Sequence, residues 1–223
     1  MIVAFDLDDT LYEEAQFVTS GLDAVAKAAS EELGLEICEA RIVLEHSLRT
    51  RPRGQAIDDL LRHFDCHTRT RARRLVDVYR RHIPSIRCPD VTWRVLDALA
   101  SHPLYLVTDG HKLVQASKIR ALGLESRFRH CLLTHRYGLR FEKPSPFAFE
   151  RILERERCTP RDVVYVGDDP SRDFLGIRPL GFRTIRVRTG RHAHVQVPVY
   201  QDAECSVAGL EDVPAVIRSW DVE

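Results

Sequence analysis

The sequence predicts an α/β protein, a doubly wound parallel sheet with a helical unit inserted after its first strand. Three observations lead there. Short apolar runs rich in β-branched residues recur along the chain, as buried parallel strands require. Most are separated by segments of helical period, the rhythm of βαβ units. A gap of about 90 residues between the first run and the next is helical throughout.

In chain order the runs are Ile2 to Phe5, Leu104 to Val107, Cys131 to Leu133, Val163 to Val166 and Thr184 to Val187. Core helices are expected over Val91 to Ala100, over Lys112 to Leu122 with Gly123 closing it, and over Phe147 to Arg157. Within the gap, apolar residues recur at helical spacing in four groups. The first is Val18, Leu22, Val25, Ala29 and Leu33, and the second Ala40, Val43, Leu44 and Leu48. Ile57, Leu60, Leu61 and Phe64 follow, then Ala72, Leu75, Val76, Tyr79 and Ile83. A four-helix cap over residues 14–87 is expected above the carboxyl ends of the strands, with residues 1–13 and 88–223 forming the core. Pro84, Pro89 and Asp90 mark the return. The stretch from Thr189 to Ala203 has no period and reads as loop, followed by a short strand and a helix near Pro214 to Trp220.

Of 223 residues, 44% are hydrophobic, enough for one such core and its insert. The 33 basic and 33 acidic residues cancel, so no global field recommends nucleic acid or an anionic membrane as partner. Six scattered cysteines lack a C-x-x-C pair, no basic-then-apolar leader precedes the first strand, and no apolar run could cross a bilayer. A soluble protein in the reducing cytoplasm is expected.

Four strand ends carry polar residues suited to chemistry. Asp6-Leu7-Asp8-Asp9-Thr10 follows the first strand, and in extended chain Asp6 and Asp8 project to one side, where their repulsion favours a bound cation. Thr108-Asp109-Gly110 follows the second and precedes a helix, offering a hydroxyl and backbone amides to a phosphate; His111 comes next. Lys143 precedes Pro144, which turns it from helical dihedrals, with Ser145 as helix cap and Pro146 as first helical residue. Gly167-Asp168-Asp169-Pro170 and Asp173 follow the fourth, an oxygen-rich group suited to Mg²⁺, with Pro170 fitting the first turn of a further helix. Each segment alone also reads as a turn, a cap or a solvated side chain.

Taken together and in this order, the segments resemble the motifs of the haloacid-dehalogenase-like hydrolases, whose Rossmann-like core carries a helical cap. The resemblance spans nearly the whole chain and implies a Mg²⁺-dependent phosphatase for a small phosphorylated metabolite, such as a sugar phosphate or nucleoside monophosphate. By the same resemblance Asp6 is the nucleophile, Asp8 the general acid and base, and Lys143 neutralises charge. Thr108, Asp109 and Gly110 hold the phosphoryl oxygens. Asp6, the Asp8 carbonyl and Asp168 bind the metal, with Asp169 as a further ligand and Asp173 orienting its neighbours, although their roles could be exchanged. A dehalogenase, a phosphomutase or a non-catalytic member shares the fold; Asp8 and the complete motif set argue against the first and last.

From His46 to Cys88 the insert holds eleven arginines against four acids. Most read as a salt-bridged surface, with Asp77 spaced to pair with Arg73, Arg74, Arg80 and Arg81. Arg49, Arg51 and Arg53, at a turn between helices, are the candidates for substrate recognition, as is His111. His63, Cys66 and His67 lie close together but lack the partner pair of a zinc site. Lys27 reads as exposed helix surface.

Overall fold

The computed structural model describes residues 1–51 and 54–221. Six strands form one parallel sheet: β1 (Ile2–Phe5), β2 (Leu104–Thr108), β3 (His130–Leu133), β4 (Val163–Gly167), β5 (Arg183–Val187) and β6 (Cys205–Val207). Their order is β3-β2-β1-β4-β5-β6. The order reverses between β1 and β4, and open sheets of this kind bind ligands at that switch, beyond the carboxyl ends. Phe5 pairs with Leu106 on one side and with Val166 on the other, so the residues following β1, β2 and β4 emerge side by side.

The chain divides into two compact units, Met1–Glu14 with Arg87–Glu223, and Ala15–Ile86. In the first, one sheet face buries Ile2, Ala4, Tyr105, Val107, Val163 and Tyr165 against Ala148, Phe149 and Ile152 of α7 (Phe147–Glu156). Alternate residues face opposite ways along a strand, so both faces must be apolar when both are covered. On the other face, Phe5 meets Phe128 edge-on at 6.3 Å. α5 (Asp90–Ala98) and α8 (Val213–Trp220) pack on each other. α6 (Lys112–Ala121) ends where the Leu124 amide donates back to Ile119 O at 3.0 Å, the closure Gly123 allows.

The second unit holds α1 (Glu14–Leu33), from Ala15 on, α2 (Ile37–Thr50), α3 (Ala56–His63) and α4 (Arg69–Arg81). Leu22, Val25, Ala29, Ala40, Leu44, Leu60, Leu61 and Leu75 form its own core. Glu36 caps α2 by accepting from the Glu39 amide at 2.6 Å, and Thr68 caps α4 by accepting from the Arg71 amide at 3.2 Å. Arg74 makes a bidentate pair with Glu32 across to α1, Nη2 to Oε1 at 2.7 Å, and Asp77 on its own helix adds a weaker electrostatic attraction. Lys27 is exposed and lies 3.8 Å from Glu31.

Three local expectations differ from the structure. Ile83, counted with the fourth helical group, lies beyond the end of α4 and is 93% exposed. Pro146, not Ser145, stands immediately before α7, and Ser145 Oγ only accepts weakly from the Phe147 amide at 3.4 Å. No α-helix begins at Pro170; residues 169–181 are turns ending in a 3₁₀ segment at Arg178–Leu180. A side chain on Gly176 would fall 1.6 Å from the Pro144 carbonyl oxygen. Close backbone packing, with Pro179 and Gly181 just beyond, prevails over helical propensity there.

Candidate active site

β1 ends at Phe5, and the ladder continues one step as the Asp6 amide donates to Val166 O at 2.8 Å. Asp6 is thereby fixed on the sheet at the switch point. The chain then turns tightly, with Asp8 bridging to Tyr12 and Asp9 held at φ 57°, uncommon for a residue other than glycine. The Asp9 carboxylate accepts from the Glu14 amide at 2.9 Å. Thr189 Oγ1 donates to the Asp9 carbonyl at 2.6 Å, and Gly190 passes so close that a Cβ would sit 2.3 Å from Asp9 Cβ. The turn is therefore clamped by the loop after β5.

Lys143 is buried, and its ammonium donates to Asp6 Oδ1 at 2.5 Å, to Asp173 Oδ1 at 2.7 Å and to the Tyr165 hydroxyl at 2.9 Å. Burial works against that charge, but Asp173 and Asp6 outweigh it and hold the lysine pKa well above its usual value. Burial raises the Asp6 pKa, with Lys143 opposing and Asp173 and Asp8 adding to the rise. Asp173 also accepts from the Asp169 amide at 2.9 Å. Asp173 is thus in contact with both the lysine and the turn after β4, while the Asp169 carboxylate accepts from Ser171 N and Oγ at 3.0 and 2.6 Å.

Asp168 is buried beside them. Thr10 donates to its Oδ1 at 3.3 Å, and His192 Nδ1 lies 2.9 Å from Oδ2. Burial, then repulsion from Asp6, Asp173 and Asp9, raises its pKa.

Asp8 has a different surrounding. Lys118 Nζ donates to its Oδ1 at 2.7 Å, the Tyr12 hydroxyl to the same oxygen at 2.6 Å, and Gln115 Nε2 to Oδ2 at 2.9 Å. Burial alone would raise its pKa, but Lys118, Tyr12 and Gln115 together hold it below the usual carboxylate range. Two acids only two residues apart thus have opposite environments.

Thr108 is buried at the end of β2, and its Oγ1 accepts from Gln115 Nε2 at 2.6 Å. Gly110 follows at φ 120° and His111 immediately precedes α6. The Asp109 carboxylate ties neighbouring segments together: it accepts from Thr134 Oγ1 at 2.6 Å, the Lys143 amide at 3.2 Å and Arg172 Nη2 at 2.8 Å.

Asp6, Lys143, Asp168 and Asp173 therefore form one group, and Asp8 and Thr108 are joined through Gln115. Arg49 and Arg51 lie exposed at the end of α2 in the other unit, and Arg53 lies outside the described residues. His63 pairs with Glu39 at 3.1 Å and His67 with Asp58 at 2.7 Å. Gln115, Lys118, Tyr12, Tyr165 and His192 are site residues that the motifs do not announce. One signal existed for two of them: Gln115 and Lys118 are polar positions three apart, flanked by the apolar Val114 and Ile119 of α6.

These features define a doubly wound α/β enzyme whose acidic centre lies at the switch point of its sheet. The chain belongs to the haloacid dehalogenase-like hydrolase family, whose sequence profile matches residues 1–181. It is 25% identical to a protein of Methanocaldococcus jannaschii named glyceraldehyde 3-phosphate phosphatase, over 97% of this chain and 96% of that one. A protein of the same name from Methanopyrus kandleri is 30% identical over 91% of this chain and 86% of its own length. Among solved structures, a 2-haloacid dehalogenase from Pseudomonas syringae superposes with a TM-score of 0.69 at 22% identity, covering 99% of this chain and all of that one. A HAD phosphatase from Thermococcus onnurineus gives 0.62 at 24% identity, over 97% of each chain. At those identities the structural likeness speaks for the fold. No described helix is long and apolar enough to cross a membrane.

Proposed function

We propose that this hydrolase is a Mg²⁺-dependent phosphatase of a small phosphorylated metabolite, acting through an aspartyl phosphate on Asp6, with a triose phosphate as the first substrate to test. The observation that carries the proposal is the pair Asp6 and Asp8: one acid held against a buried lysine, the other, two residues on, held apart by Lys118 and Gln115. A covalent phosphatase needs two such carboxylates in different roles. The relatives named glyceraldehyde 3-phosphate phosphatase support the substrate class.

The donor set fits a hard divalent cation. Asp6 and Asp173 share the single ammonium of Lys143, while the buried Asp168 makes no ion pair with it and repels Asp6. Oxygen donors with this excess of negative charge suit Mg²⁺. Asp6, Asp168 and the backbone carbonyl of Asp8 would hold it. Among the described residues no three His, Cys, Asp or Glu side chains stand close enough together to hold an ion by themselves, so the proposed set takes one of its three protein donors from the backbone. When bound, Mg²⁺ supplies positive charge that offsets the phosphoryl oxygens and lets them approach Asp6.

The protein residues do the rest. Thr108 and the Asp109 amide hold the phosphoryl oxygens while an Asp6 oxygen attacks phosphorus. Lys118, Tyr12 and Gln115 favour the ionised form of Asp8, so Asp8 acts as an acid after taking up a proton from solvent, and gives that proton to the departing alcohol oxygen as the phosphorus–oxygen bond breaks. Asp8 then takes a proton from the water that attacks the aspartyl phosphate, releasing phosphate and restoring Asp6. Lys143, fixed by Asp173 and Tyr165, keeps charge neutralised beside Asp6 throughout. A cytoplasmic setting belongs to the same proposal, and all six cysteines are free thiols.

The test is phosphate release from glyceraldehyde 3-phosphate, other triose and sugar phosphates and nucleoside monophosphates, with Mg²⁺ and with excess chelator, beside halide release from short 2-haloacids. Phosphate release that stops in chelator, with no halide, is expected. Full activity in chelator contradicts the metal site, and halide release contradicts the phosphatase reading.

A further inference from the structure

We infer that Gln115 and Lys118 are positioning residues of the reaction, holding the Asp8 carboxylate in register with the phosphate-binding hydroxyl of Thr108. This rests on the phosphatase reading and deepens it. Both side chains come from α6, three residues apart and so on one face of the helix, and both are buried, at 1% and 3% exposure. Gln115 spends its two amide hydrogens on different partners, Asp8 Oδ2 at 2.9 Å and Thr108 Oγ1 at 2.6 Å. Lys118 takes the other Asp8 oxygen at 2.7 Å. A carboxylate bound at each oxygen from one rigid helix cannot rotate freely about its own side-chain bonds.

A buried ammonium is costly unless it is paired, which makes Lys118 an expensive way merely to fill space. Its pairing with Asp8, with Glu14 Oε1 a further 4.0 Å neighbour, gives that burial a purpose. α6 begins directly after the Thr108-Asp109-Gly110 turn that would hold the phosphate. One helix therefore sets the distance between the proton shuttle and the phosphoryl group. The step affected is the first one: the proton moves from Asp8 to the leaving oxygen as that oxygen departs from phosphorus, and Asp8 remains as a carboxylate facing Lys118. A leaving group that needs no proton should feel little of this.

The experiment compares kcat/KM, which reports the first step, for an alkyl ester such as glycerol phosphate and for p-nitrophenyl phosphate, with the Mg²⁺-loaded enzyme. Lys118→Met and Gln115→Leu are expected to lower the alkyl value by at least about tenfold more than the aryl value. For Lys118→Met the inhibition constant of inorganic phosphate should stay within about twofold. In an Asp8→Asn background Lys118→Met should add nothing, since the residue it positions is gone. Equal losses on both esters, a matching loss of phosphate affinity, or additive losses in the double variant overturn the inference. If Lys118→Met does not fold, Gln115→Leu decides by the same ester comparison. The parent reading fails separately: Asp8→Asn alone would then treat the two esters alike.

Discussion

Lys143 is a lysine inside the protein whose charge is maintained by two acids, Asp6 and Asp173, and its chemistry depends on that balance. Lys143→Met removes one member of a buried ionic group and leaves the two carboxylates facing each other. The expected result in urea unfolding is a loss of about 3–5 kcal/mol, with activity abolished. Unchanged stability would mean that the acids are not held by this lysine. At this scale legibility follows backbone position. Asp6, Thr108, Lys143 and Asp168 could be found because each lies at a strand end or before a proline, where local sequence marks the turn. His192 could not, since it lies in a stretch without period. It is brought to Asp168 by a loop gathered around the fully buried Arg186, which donates to the carbonyls of His192 at 2.7 Å and Val195 at 2.9 Å. An arginine within a strand gives no sign of such a task.

Helices of the inserted unit carry two further expectations. His82 closes α4, its Nδ1–H donating to the Tyr79 carbonyl, 2.7 Å away, with Phe17 at 4.9 Å between ring centres. Burial lowers its pKa below the ordinary 6.5, so the folded state binds fewer protons than the unfolded one below that pH. Stability therefore rises with pH there: the contribution of neutral His82 is full above the unfolded pKa and is lost as pH falls toward the folded value. His82→Asn should flatten the acid side of a melting-temperature profile; an unchanged slope would assign it to other groups. Arg49→Glu and Arg51→Glu, at the exposed end of α2, are expected to raise KM for the physiological substrate while sparing p-nitrophenyl phosphate. Equal losses on both would indicate damage to the unit itself. The four helices were readable from period alone because each must bury one apolar stripe. The run after β4 was not, because the packing of Gly176 on the Pro144 carbonyl is a tertiary constraint.

Across the whole molecule, the parallel sheet was legible because buried strands repeat as short apolar runs and the interruption after β1 is long. Strand order follows from topology rules more than from any residue, and it puts the ends of β1 and β4 side by side. Equal numbers of acids and bases, 33 of each, leave recognition to local groups rather than to a global field. The central claim is that Asp6, and no other carboxylate in this group, carries the phosphoryl group between two steps. Its most direct test is the Asp8→Asn variant mixed with p-nitrophenyl phosphate. The phenolate can leave without a proton, whereas water attack on the intermediate still needs the base. The account predicts a burst of nitrophenol comparable to the enzyme concentration, slow turnover afterwards, and one phosphoryl group detected by peptide mass on the segment containing Asp6. Steady turnover without a burst, or a phosphoryl group on any other residue, would contradict it.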